Sequence, residues 1–393
     1  MRALRTQVVI IGAGPAGLLL GRLLDRDGID NVIVERRSRD YVEQRVRAGV
    51  IEFGIANFID EVGAGERMRR EGLQHRGVEF RVDGVAHRIA LGELTDGKYI
   101  TVYGQQELVK DLIELRARSG GALHFDAEAV AVHDVATDTP SVEVRDESGS
   151  WQLTCDYIAG CDGSFGVAAH SVPAGAFVRH ERSYPFSWLG ILAEAPPASE
   201  ELIYSRHERG FALYSMRTPT LSRLYLGVSP NDTLEDWPDD RIWEELSIRL
   251  TADAARSVNE GPILERSLTT MRSAVLEPMR YGRLVLAGDA AHIVPPTGAK
   301  GMNLALADVR VLAGALADHY AEDDDRLLDD YSTTCLDRVW RAEEFSNYMT
   351  QMLHPSDGDG FENGVQRARL RQVVTSREAA TVLARNYVDL NSL

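Results

Sequence analysis

The feature that most constrains the fold of this chain is a glycine-rich turn near its beginning. An apolar run, Val8-Val9-Ile10-Ile11, leads into Gly12-Ala13-Gly14-Pro15-Ala16-Gly17, and a leucine-rich segment follows. This order predicts a strand, a tight turn and a helix whose free N–H groups and dipole hold phosphate groups. Gly12 would make the turn, Gly14 would let the backbone approach a pyrophosphate, and Gly17 would let helix and strand pack closely. An ordinary strand-to-helix turn is the alternative.

A second apolar strand supports the nucleotide interpretation. Val32-Ile33-Val34 ends in Glu35, close to where such a βαβ unit carries an acid that binds a ribose. The sequence therefore predicts a dinucleotide site at the turn, and the rest of the chain has to indicate which dinucleotide it binds.

Length and composition exclude several classes of protein. A chain of 393 residues is long enough for two or three domains, and its formal net charge of −17 argues against a nucleic-acid partner. No apolar run reaches the length of a membrane span, and residues 1–5 lead directly into the first strand, without room for a secretory signal. The three cysteines are too few for a disulfide framework and lack zinc-site spacing. We expect a cytoplasmic protein that binds no metal, membrane or nucleic acid.

Strand and helix patterns predict a mixed α/β (α+β) fold. A Rossmann-like βαβ domain is expected in the segments 1–74, 99–180 and 271–350. An antiparallel β-sheet domain is expected to be inserted into it at 75–98 and 181–270, because the strands there lack interleaved helices. Residues 351–393 are expected to form a helical C-terminal region.

Two later motifs repeat the pattern of a strand followed by glycine and an acid. A strand predicted over 153–158 precedes Cys161-Asp162-Gly163, and a second apolar strand precedes Gly288-Asp289. Asp289 can accept hydrogen bonds from ribose hydroxyls, and the loop after it presents bare carbonyls at Pro295-Pro296. Asn303 is expected to cap the next helix. Loops of this length are usually functional, although a well-capped turn without a ligand is the alternative.

A predicted hairpin carries a set of residues suited to a carboxylate. A period of two puts Phe211, Leu213, Ser215 and Arg217 on one face of the first strand. If residues 219–221 form the turn, Ser215 lies opposite Tyr225 and Arg217 lies opposite Arg223. Two facing arginines are unfavourable unless an anion lies nearby, so the hairpin predicts a carboxylate pocket. A solvated arginine face on an exposed hairpin is the alternative.

At this point the chain resembles a known family, the single-component flavoprotein aromatic hydroxylases, over nearly its whole length. The resemblance rests on the three glycine-bearing motifs and on five further segments. These segments are Val102-Tyr103-Gly104-Gln105, Glu201-Leu202-Ile203-Tyr204, Arg209-Gly210-Phe211-Ala212-Leu213, Val294-Pro295-Pro296-Thr297-Gly298-Ala299-Lys300-Gly301 and Asn386-Tyr387-Val388.

The resemblance implies that the dinucleotide is FAD and assigns roles to single residues. FAD contacts are implied for Gly12, Gly14, Gly17, Glu35, Arg47, Gln105, Asp289, Lys300, Asn303 and Arg223. Substrate contacts are implied for Tyr204, Ser215, Arg217, Tyr225 and the carbonyl of Pro296. The implied catalytic group is Tyr204, Tyr387 and His75 as a path for the phenol proton, with Pro296 near the reacting phenol and Asn303 near the flavin ring.

The reaction implied by the resemblance is hydroxylation of 4-hydroxybenzoate at C3 to 3,4-dihydroxybenzoate, using NAD(P)H, O2 and a flavin C4a-hydroperoxide. An arginine at one end of the pocket and a tyrosine at the other favour the para isomer. Hydroxylation of another phenolic acid, such as 3,4-dihydroxybenzoate or 3-hydroxybenzoate, stays open. A non-catalytic FAD-fold binding protein is a further alternative.

The nicotinamide site departs from the family pattern. Relatives carry basic or hydrogen-bonding residues at the positions of Phe165 and Ala169, and neither residue here contacts a phosphate in that way. Coenzyme contacts are implied for Arg36, Arg37, Tyr41 and Arg272. The arginines after Glu35, which include Arg39, suit a 2′-phosphate, so NADPH is favoured over NADH, although a solvated charge cluster is the alternative. The resemblance also implies a homodimer.

Overall fold

The computed structural model describes residues 3–47, 49–252, 258–356 and 358–390. The chain forms two compact units, each assembled from three segments. The first unit comprises Met1–Gly72, Tyr103–Arg182 and Ser273–Glu343, and the second comprises Leu73–Val102, Ser183–Arg272 and Glu344–Leu393. Within these described ranges, none of the helices combines the length and apolar character needed to cross a bilayer.

Strands and helices are numbered in chain order. The strands are β1 (Ala3–Arg5), β2 (Val8–Ile11), β3 (Asn31–Val34), β4 (Val50–Ile51), β5 (Leu73–His75), β6 (Val78–Val82), β7 (Val85–Ile89), β8 (Ile100–Val102), β9 (Ala122–His124), β10 (Glu128–His133), β11 (Ser141–Asp146), β12 (Gly149–Thr154), β13 (Tyr157–Gly160), β14 (Val178–Ala193), β15 (Ile203–His207), β16 (Gly210–Thr218), β17 (Leu221–Val228), β18 (Ile263–Glu277), β19 (Arg280–Tyr281), β20 (Leu284–Leu286) and β21 (His292–Ile293). The helices are α1 (Pro15–Arg26), α2 (Arg39–Gln44), α3 (Phe53–Glu61), α4 (Glu66–Glu71), α5 (Leu91–Leu94), α6 (Gln105–Ser119), α7 (Asp239–Leu250), α8 (Gly301–Glu322), α9 (Arg326–Asp329), α10 (Tyr331–Leu353), α11 (Gly360–Thr375) and α12 (Arg377–Val388).

The first unit is built on a sheet with the strand order β19-β20-β13-β2-β3-β9. Its pairs are parallel except for β19 and β20, which run antiparallel. All of β2 is buried, which explains its uninterrupted apolar sequence, since strands of parallel sheets are covered on both faces. Helix α1 contacts α6 and α8, so the glycine-rich turn and the start of α8 belong to one core.

A second sheet in this unit has the order β1-β12-β11-β10. The strand predicted over 153–158 is wrong as a single element, because β12 and β13 belong to different sheets. The chain changes sheet at Cys155 and Asp156, whose amides donate to Pro140 O and Gln7 O at 3.0 and 2.9 Å. These bonds end one ladder and align the chain with the next.

The second unit contains the successive strands β14-β17-β16-β15-β6-β7 of an eight-stranded sheet. Neighbouring strands are antiparallel except for β15 and β6, which are parallel. Helix α7 packs on β15 and β16, and its Ile242, Leu246 and Leu250 join a buried cluster with Leu224 and Leu226 of β17. One face of the sheet is thereby covered by apolar side chains, and the polar residues predicted to bind substrate lie among the remaining positions.

Candidate active site

The glycine-rich turn has the geometry that a bound dinucleotide requires. Gly12 has a φ of +105°, and a Cβ on it would lie 2.4 Å from the Cys161 carbonyl oxygen. A Cβ on Gly17 would lie 2.0 Å from the Gly12 carbonyl oxygen, so both positions need glycine. A Cβ on Gly14 would meet nothing within 4 Å, and no side chain caps α1. The first N–H groups of α1 are therefore left without a capping side chain, which fits a pyrophosphate.

The Glu35 carboxylate is bonded to the same turn. Its Oε2 accepts from Ala13 N at 2.8 Å, and its Oε1 accepts from Arg37 N at 2.9 Å. A carboxylate oxygen has more than one acceptor site, so Glu35 keeps capacity for a ribose hydroxyl. The side chain is partly exposed and lies at the carboxyl end of β3, where α/β sheets bind ligands.

The predicted FAD contacts Arg47 and Gln105 lie on two segments that the structure joins. Tyr103 N donates to Gly49 O at 2.7 Å, and a Cβ on Gly49 would lie 1.9 Å from the Tyr103 carbonyl oxygen. Only glycine at position 49 allows this approach. Arg47 is exposed and Gln105 is the first residue of α6, so both stand close to the joined segments.

Lys300 and Asn303 lie at the start of α8, but the expected capping role of Asn303 is wrong. The helix begins at Gly301, with Lys300 as its N-cap, because Ala299 turns the chain with a φ of +55°. Asn303 therefore lies within the first turn. Its Oδ1 accepts from Glu52 N at 2.9 Å, and its Nδ2 donates to the carbonyls of Val50 and Ala299 at 3.0 and 2.9 Å. The amide joins β4 to the helix start, beside a buried pair of Lys300 Nζ and Glu52 Oε1 at 2.7 Å.

The predicted register of the hairpin is also wrong. Ser215 lies opposite Arg223, and Leu213 lies opposite Tyr225. Arg217 has no opposite residue, because Met216 pairs with Ser222 and Thr218 pairs with Leu221, which leaves Arg217 as the extra residue of a β-bulge. The bulge removes the direct opposition of two arginines that the sequence pattern implies.

The true register lines up a row of residues across neighbouring strands. Phe80 lies opposite Tyr204, Tyr204 opposite Leu213, Leu213 opposite Tyr225, and Tyr225 opposite Gly190. Directly paired residues share a face, so Tyr204 and Tyr225 point the same way with one strand between them. Two inter-strand steps separate them by about 10 Å, a distance that one substituted benzene ring spans.

Arg217 and His75 are polar groups with unused hydrogen-bonding atoms in the interior of the second unit. Nε and Nη1 of Arg217 and both ring nitrogens of His75 are inaccessible to solvent and have no partner among the described residues. Burial lowers the pKa of Arg217, Tyr225 raises it and Arg223 lowers it further. Burial lowers the pKa of His75 to about 4, with Glu201 opposing and Arg217 reinforcing the shift. Native proteins rarely leave buried polar groups without hydrogen-bond partners. Unsatisfied nitrogens of this kind are therefore typical of a ligand-binding site.

Arg223 adds a second cation to this face. Its Nη1 lies 3.4 Å from Glu265 Oε1, and its guanidinium lies 5.4 Å from the centroid of the Tyr225 ring. Ser215 is buried directly opposite it. The face thus combines a hydroxyl, a phenol and two guanidinium groups, a set that fits an anionic ligand.

Tyr204 and Tyr387 are joined by a buried hydrogen bond. Their phenol oxygens lie 2.6 Å apart, and each residue is 2% exposed. Burial raises the pKa of both hydroxyls above the ordinary value for tyrosine. Both phenols therefore stay protonated near neutral pH, and the bond between them can pass a proton without either carrying a lasting charge.

The residues predicted to bind the nicotinamide coenzyme belong to both units. Arg36, Arg37 and Tyr41 are exposed beside the end of β3, and the Arg37 guanidinium lies 5.1 Å from the Tyr41 ring centroid. Arg272 belongs to the second unit. Phe165 is 77% exposed, and Ala169 lines a shallow cleft in the first unit together with Ser164, His170, Arg179 and Asp289.

The sequence pattern did not indicate that Gly190 and Trp188 belong to the same face as Tyr225. A Cβ on Gly190 would lie 2.9 Å from Arg223 Nη2 and 3.3 Å from Tyr225 Cε1. The Trp188 ring centroid lies 5.0 Å from those of Tyr225 and Phe211. The sequence offered one signal for Gly190, because a glycine inside an apolar strand often marks the close approach of another group.

Comparison with known proteins identifies the family. The family described as "FAD binding domain" matches residues 5–346, which is most of the chain. The chain belongs to this family, and it is a flavoprotein monooxygenase that uses FAD. Its dinucleotide turn and the acid at position 35 fit that cofactor, as described above.

Among curated relatives, the chain is 46% identical to p-hydroxybenzoate hydroxylase of Acinetobacter baylyi over 99% of this chain and 96% of the relative. It is 26% identical to 3-amino-4-hydroxybenzoate 2-monooxygenase of Streptomyces cremeus, over 93% and 92%. Among solved structures, p-nitrophenol 4-monooxygenase of Pseudomonas putida covers 100% of this chain and 99% of its own, with a TM-score of 0.83 at 19% identity. The structural likeness supports the mixed α/β fold.

Proposed function

We propose that this monooxygenase hydroxylates 4-hydroxybenzoate at C3 to give 3,4-dihydroxybenzoate. The identity of 46% with a p-hydroxybenzoate hydroxylase supports the substrate class. The observation that carries the proposal is the polar face of the second unit, where Tyr204 and Tyr225 share a face and Arg217 has unpaired buried nitrogens. Such a face offers a donor to a carboxylate at one end and a phenol partner at the other.

In this proposal, Arg217, Ser215 and Tyr225 bind the substrate carboxylate. The bulge at Arg217 frees its guanidinium from cross-strand pairing, so its unpaired N–H groups are available to a planar anion. Arg223 supports the anion electrostatically because Glu265, at 3.4 Å, neutralises only one of the two guanidinium groups. Gly190 leaves the space in which Arg223 and Tyr225 lie.

Tyr204 would accept a hydrogen bond from the substrate phenol and pass its proton to Tyr387, with His75 as the outer acceptor. Removing this proton makes the ring carbon beside the phenol oxygen more nucleophilic. Burial lowers the pKa of His75 to about 4, so its imidazole is neutral near pH 7 and would pass the proton on instead of retaining it. The short bond between the tyrosines supports the first transfer. Pro296 and Asn303 stay predictions from the family resemblance.

Bound FAD would supply the redox chemistry, taking hydride from the nicotinamide coenzyme and activating O2. We propose that the chain holds it with Gly12, Gly14, Gly17, Glu35, Arg47, Gln105, Asp289, Lys300, Asn303 and Arg223. The glycine turn would hold the pyrophosphate and Glu35 the adenosine ribose. The exposed Asp289 would bind the ribityl side.

NADPH is the proposed coenzyme, held by Arg36, Arg37, Tyr41 and Arg272. The exposed arginines after β3 support it, because a 2′-phosphate favours guanidinium partners. A homodimer is proposed from the family resemblance alone.

A substrate panel tests the proposal. Coenzyme oxidation by the purified holoenzyme is followed with 4-hydroxybenzoate, 3-hydroxybenzoate, 3,4-dihydroxybenzoate and benzoate, and the products are identified. The expected result is rapid oxidation with 4-hydroxybenzoate and stoichiometric 3,4-dihydroxybenzoate. Benzoate keeps the carboxylate but lacks the phenol, so it should bind without giving product. Faster and fully coupled turnover of another panel member would replace the proposed substrate.

A further inference from the structure

A buried ionic pair lies beneath the turn that carries Asp289, and the proposed chemistry gives it no role. His292 Nε2 and Asp308 Oδ2 lie 2.6 Å apart, and their side chains are 1% and 0% exposed. Burial lowers the pKa of His292, but the charge and hydrogen bond of Asp308 raise it by more. A buried pair contributes little net stability, because desolvation offsets its attraction. Its position therefore calls for a further explanation.

The same carboxylate also holds the backbone of the turn. Gly288 N donates to Asp308 Oδ2 at 3.0 Å, so one oxygen is bonded to both ends of the segment 288–292. Ala291 N donates to Gly288 O at 2.8 Å and closes the turn within this span. A charged acceptor makes stronger hydrogen bonds than a neutral one, and burial shields these bonds from water.

Helix α8 also fixes the turn by close packing. Ala305 and Asp308 are three residues apart and share one side of the helix. Gly288 has a φ of +62°, and a Cβ on it would lie 2.9 Å from Ala305 Cβ. Ala305 thus limits how closely the turn can approach the helix, and Asp308 holds the backbone of the turn against the helix by a hydrogen bond.

Both flanks of the turn are hydrogen-bonded to neighbouring strands. Only the backbone conformation between the flanks is left to be fixed by other contacts. Ala287 N donates to Gly160 O at 3.0 Å, and Leu276 N donates to Ala291 O at 2.9 Å. Between these anchors Asp289 is exposed, while its neighbours Gly288 and Ala290 are buried. The direction of the Asp289 side chain consequently depends on the backbone that Asp308 holds.

We propose that Asp308 is a positioning residue of the flavin site, which fixes the turn 288–292 so that Asp289 is presented to FAD. The inference rests on the proposed contact between Asp289 and FAD. His292 completes the arrangement by neutralising the buried carboxylate. Asp308 itself touches no substrate or cofactor in this assignment, so its effect has to pass through Asp289.

A double-mutant cycle tests this inference. The FAD dissociation constant is measured on full-length holoenzyme by the recovery of flavin fluorescence on dilution. Asp308→Asn should raise the constant about tenfold, the range of one lost charge-assisted hydrogen bond, and Asp289→Ala should raise it by at least as much. In the double variant the constant should equal that of Asp289→Ala alone, because a mispositioned side chain has no further effect once it is absent.

Additive effects in the double variant would overturn the positioning role. An unchanged constant in Asp289→Ala alone would instead remove the proposed FAD contact, and the single variant distinguishes this failure from the first. Glu245→Gln is the matched control, since this buried carboxylate of α7 accepts from Arg249 Nε at 2.8 Å and has no part in the turn 288–292. Its FAD constant should stay at the wild-type value. Where Asp308→Asn does not fold, His292→Gln keeps a neutral donor and should give a smaller, likewise non-additive loss.

Discussion

The phenol oxygens of Tyr204 and Tyr387 lie 2.6 Å apart, although 183 residues separate the two tyrosines in sequence. Tyr204 comes from β15, a central strand of the sheet in the second unit, and Tyr387 comes from α12. Phe80 stacks on Tyr204 at a centroid distance of 5.5 Å, and Phe345 contacts Tyr387 edge-on at 6.2 Å. Apolar rings therefore pack against both tyrosines, and the hydrogen bond between them is shielded from water.

This relationship predicts that Tyr204→Phe separates substrate binding from hydroxylation. The ring and its packing stay, but the phenol proton of the substrate loses its acceptor. The variant should bind 4-hydroxybenzoate within roughly tenfold of wild type and hydroxylate it about a hundredfold more slowly, the usual scale of a lost acid–base partner. Hydrogen peroxide should replace product, which a peroxidase-coupled assay measures.

Tyr387→Phe is the matched variant, because it removes the second phenol while Tyr204 still reaches the substrate. Its hydroxylation should be slowed less at high pH than at neutral pH, since the substrate phenol then ionises without help. Full coupling of oxygen to product in Tyr204→Phe would remove Tyr204 from the proton path.

Gly190→Ala should weaken substrate binding without disturbing the fold. The added Cβ would lie 2.9 Å from Arg223 Nη2 and 3.3 Å from Tyr225 Cε1, so both side chains have to shift. We expect the substrate dissociation constant, from titration of flavin absorbance, to rise about tenfold, the scale of one displaced hydrogen bond to a charge. Gly364→Ala on α11 is the control, since its Cβ would meet nothing within 4 Å. Equal affinities in both variants would contradict the assignment of this face.

Arg217→Met should stabilise the substrate-free enzyme and weaken substrate binding. Removing a guanidinium with two unpaired buried nitrogens should raise the free energy of unfolding of the substrate-free enzyme by about 1–3 kcal/mol. Loss of the carboxylate partner should weaken 4-hydroxybenzoate binding roughly a hundredfold. Urea unfolding and flavin titration measure the two effects. A variant that is less stable than wild type would show that the arginine already has its partners in the protein.

Arg37→Ser should weaken NADPH more than NADH, because only NADPH carries the 2′-phosphate. A lost interaction with a phosphate should raise KM for NADPH about tenfold and leave KM for NADH within twofold. Arg326→Ser is the control, since Arg326 is an exposed arginine that pairs with Asp324 at 2.6 Å and has no proposed coenzyme contact. Equal increases for both coenzymes would count against the 2′-phosphate interpretation.

The sequence predicts the parts of this protein that depend on local pattern. The turn at Gly12 and the mixed α/β fold follow from apolar runs and glycine spacing. The register of the hairpin could not be predicted, because the β-bulge adds Arg217 as an extra residue and sequence periodicity does not reveal a bulge. The prediction that Asn303 caps the helix is wrong, because the chain turns at Ala299 and the helix begins at Gly301. The break at Cys155 was not predicted, because strand-like sequence continues on both sides of it and only the sheets differ.

A last prediction concerns pH and His354. Its Nε2 accepts from Trp188 Nε1 at 2.7 Å, and its Nδ1 donates to Thr350 O at 2.8 Å, so the buried ring is neutral. Burial lowers its pKa to about 3, with the Thr350 carbonyl opposing the shift. A folded-state pKa below the unfolded value of about 6.5 gives stability that is present above pH 6.5 and is lost as pH falls from there toward 3.

His354→Gln should therefore flatten the acid side of the stability profile. Between pH 6.5 and 5, the lowered pKa of His354 should reduce the free energy of unfolding of the wild type by roughly 2 kcal/mol. In urea unfolding, the variant should lose that much less stability over the same pH range. The slope that remains includes His75, whose pKa is lowered to about 4 by burial. His354→Leu should be less stable than wild type at pH 7, because Trp188 loses its acceptor, yet show the same flattened slope. A wild-type slope in both variants would mean that His354 does not contribute to the loss of stability in acid.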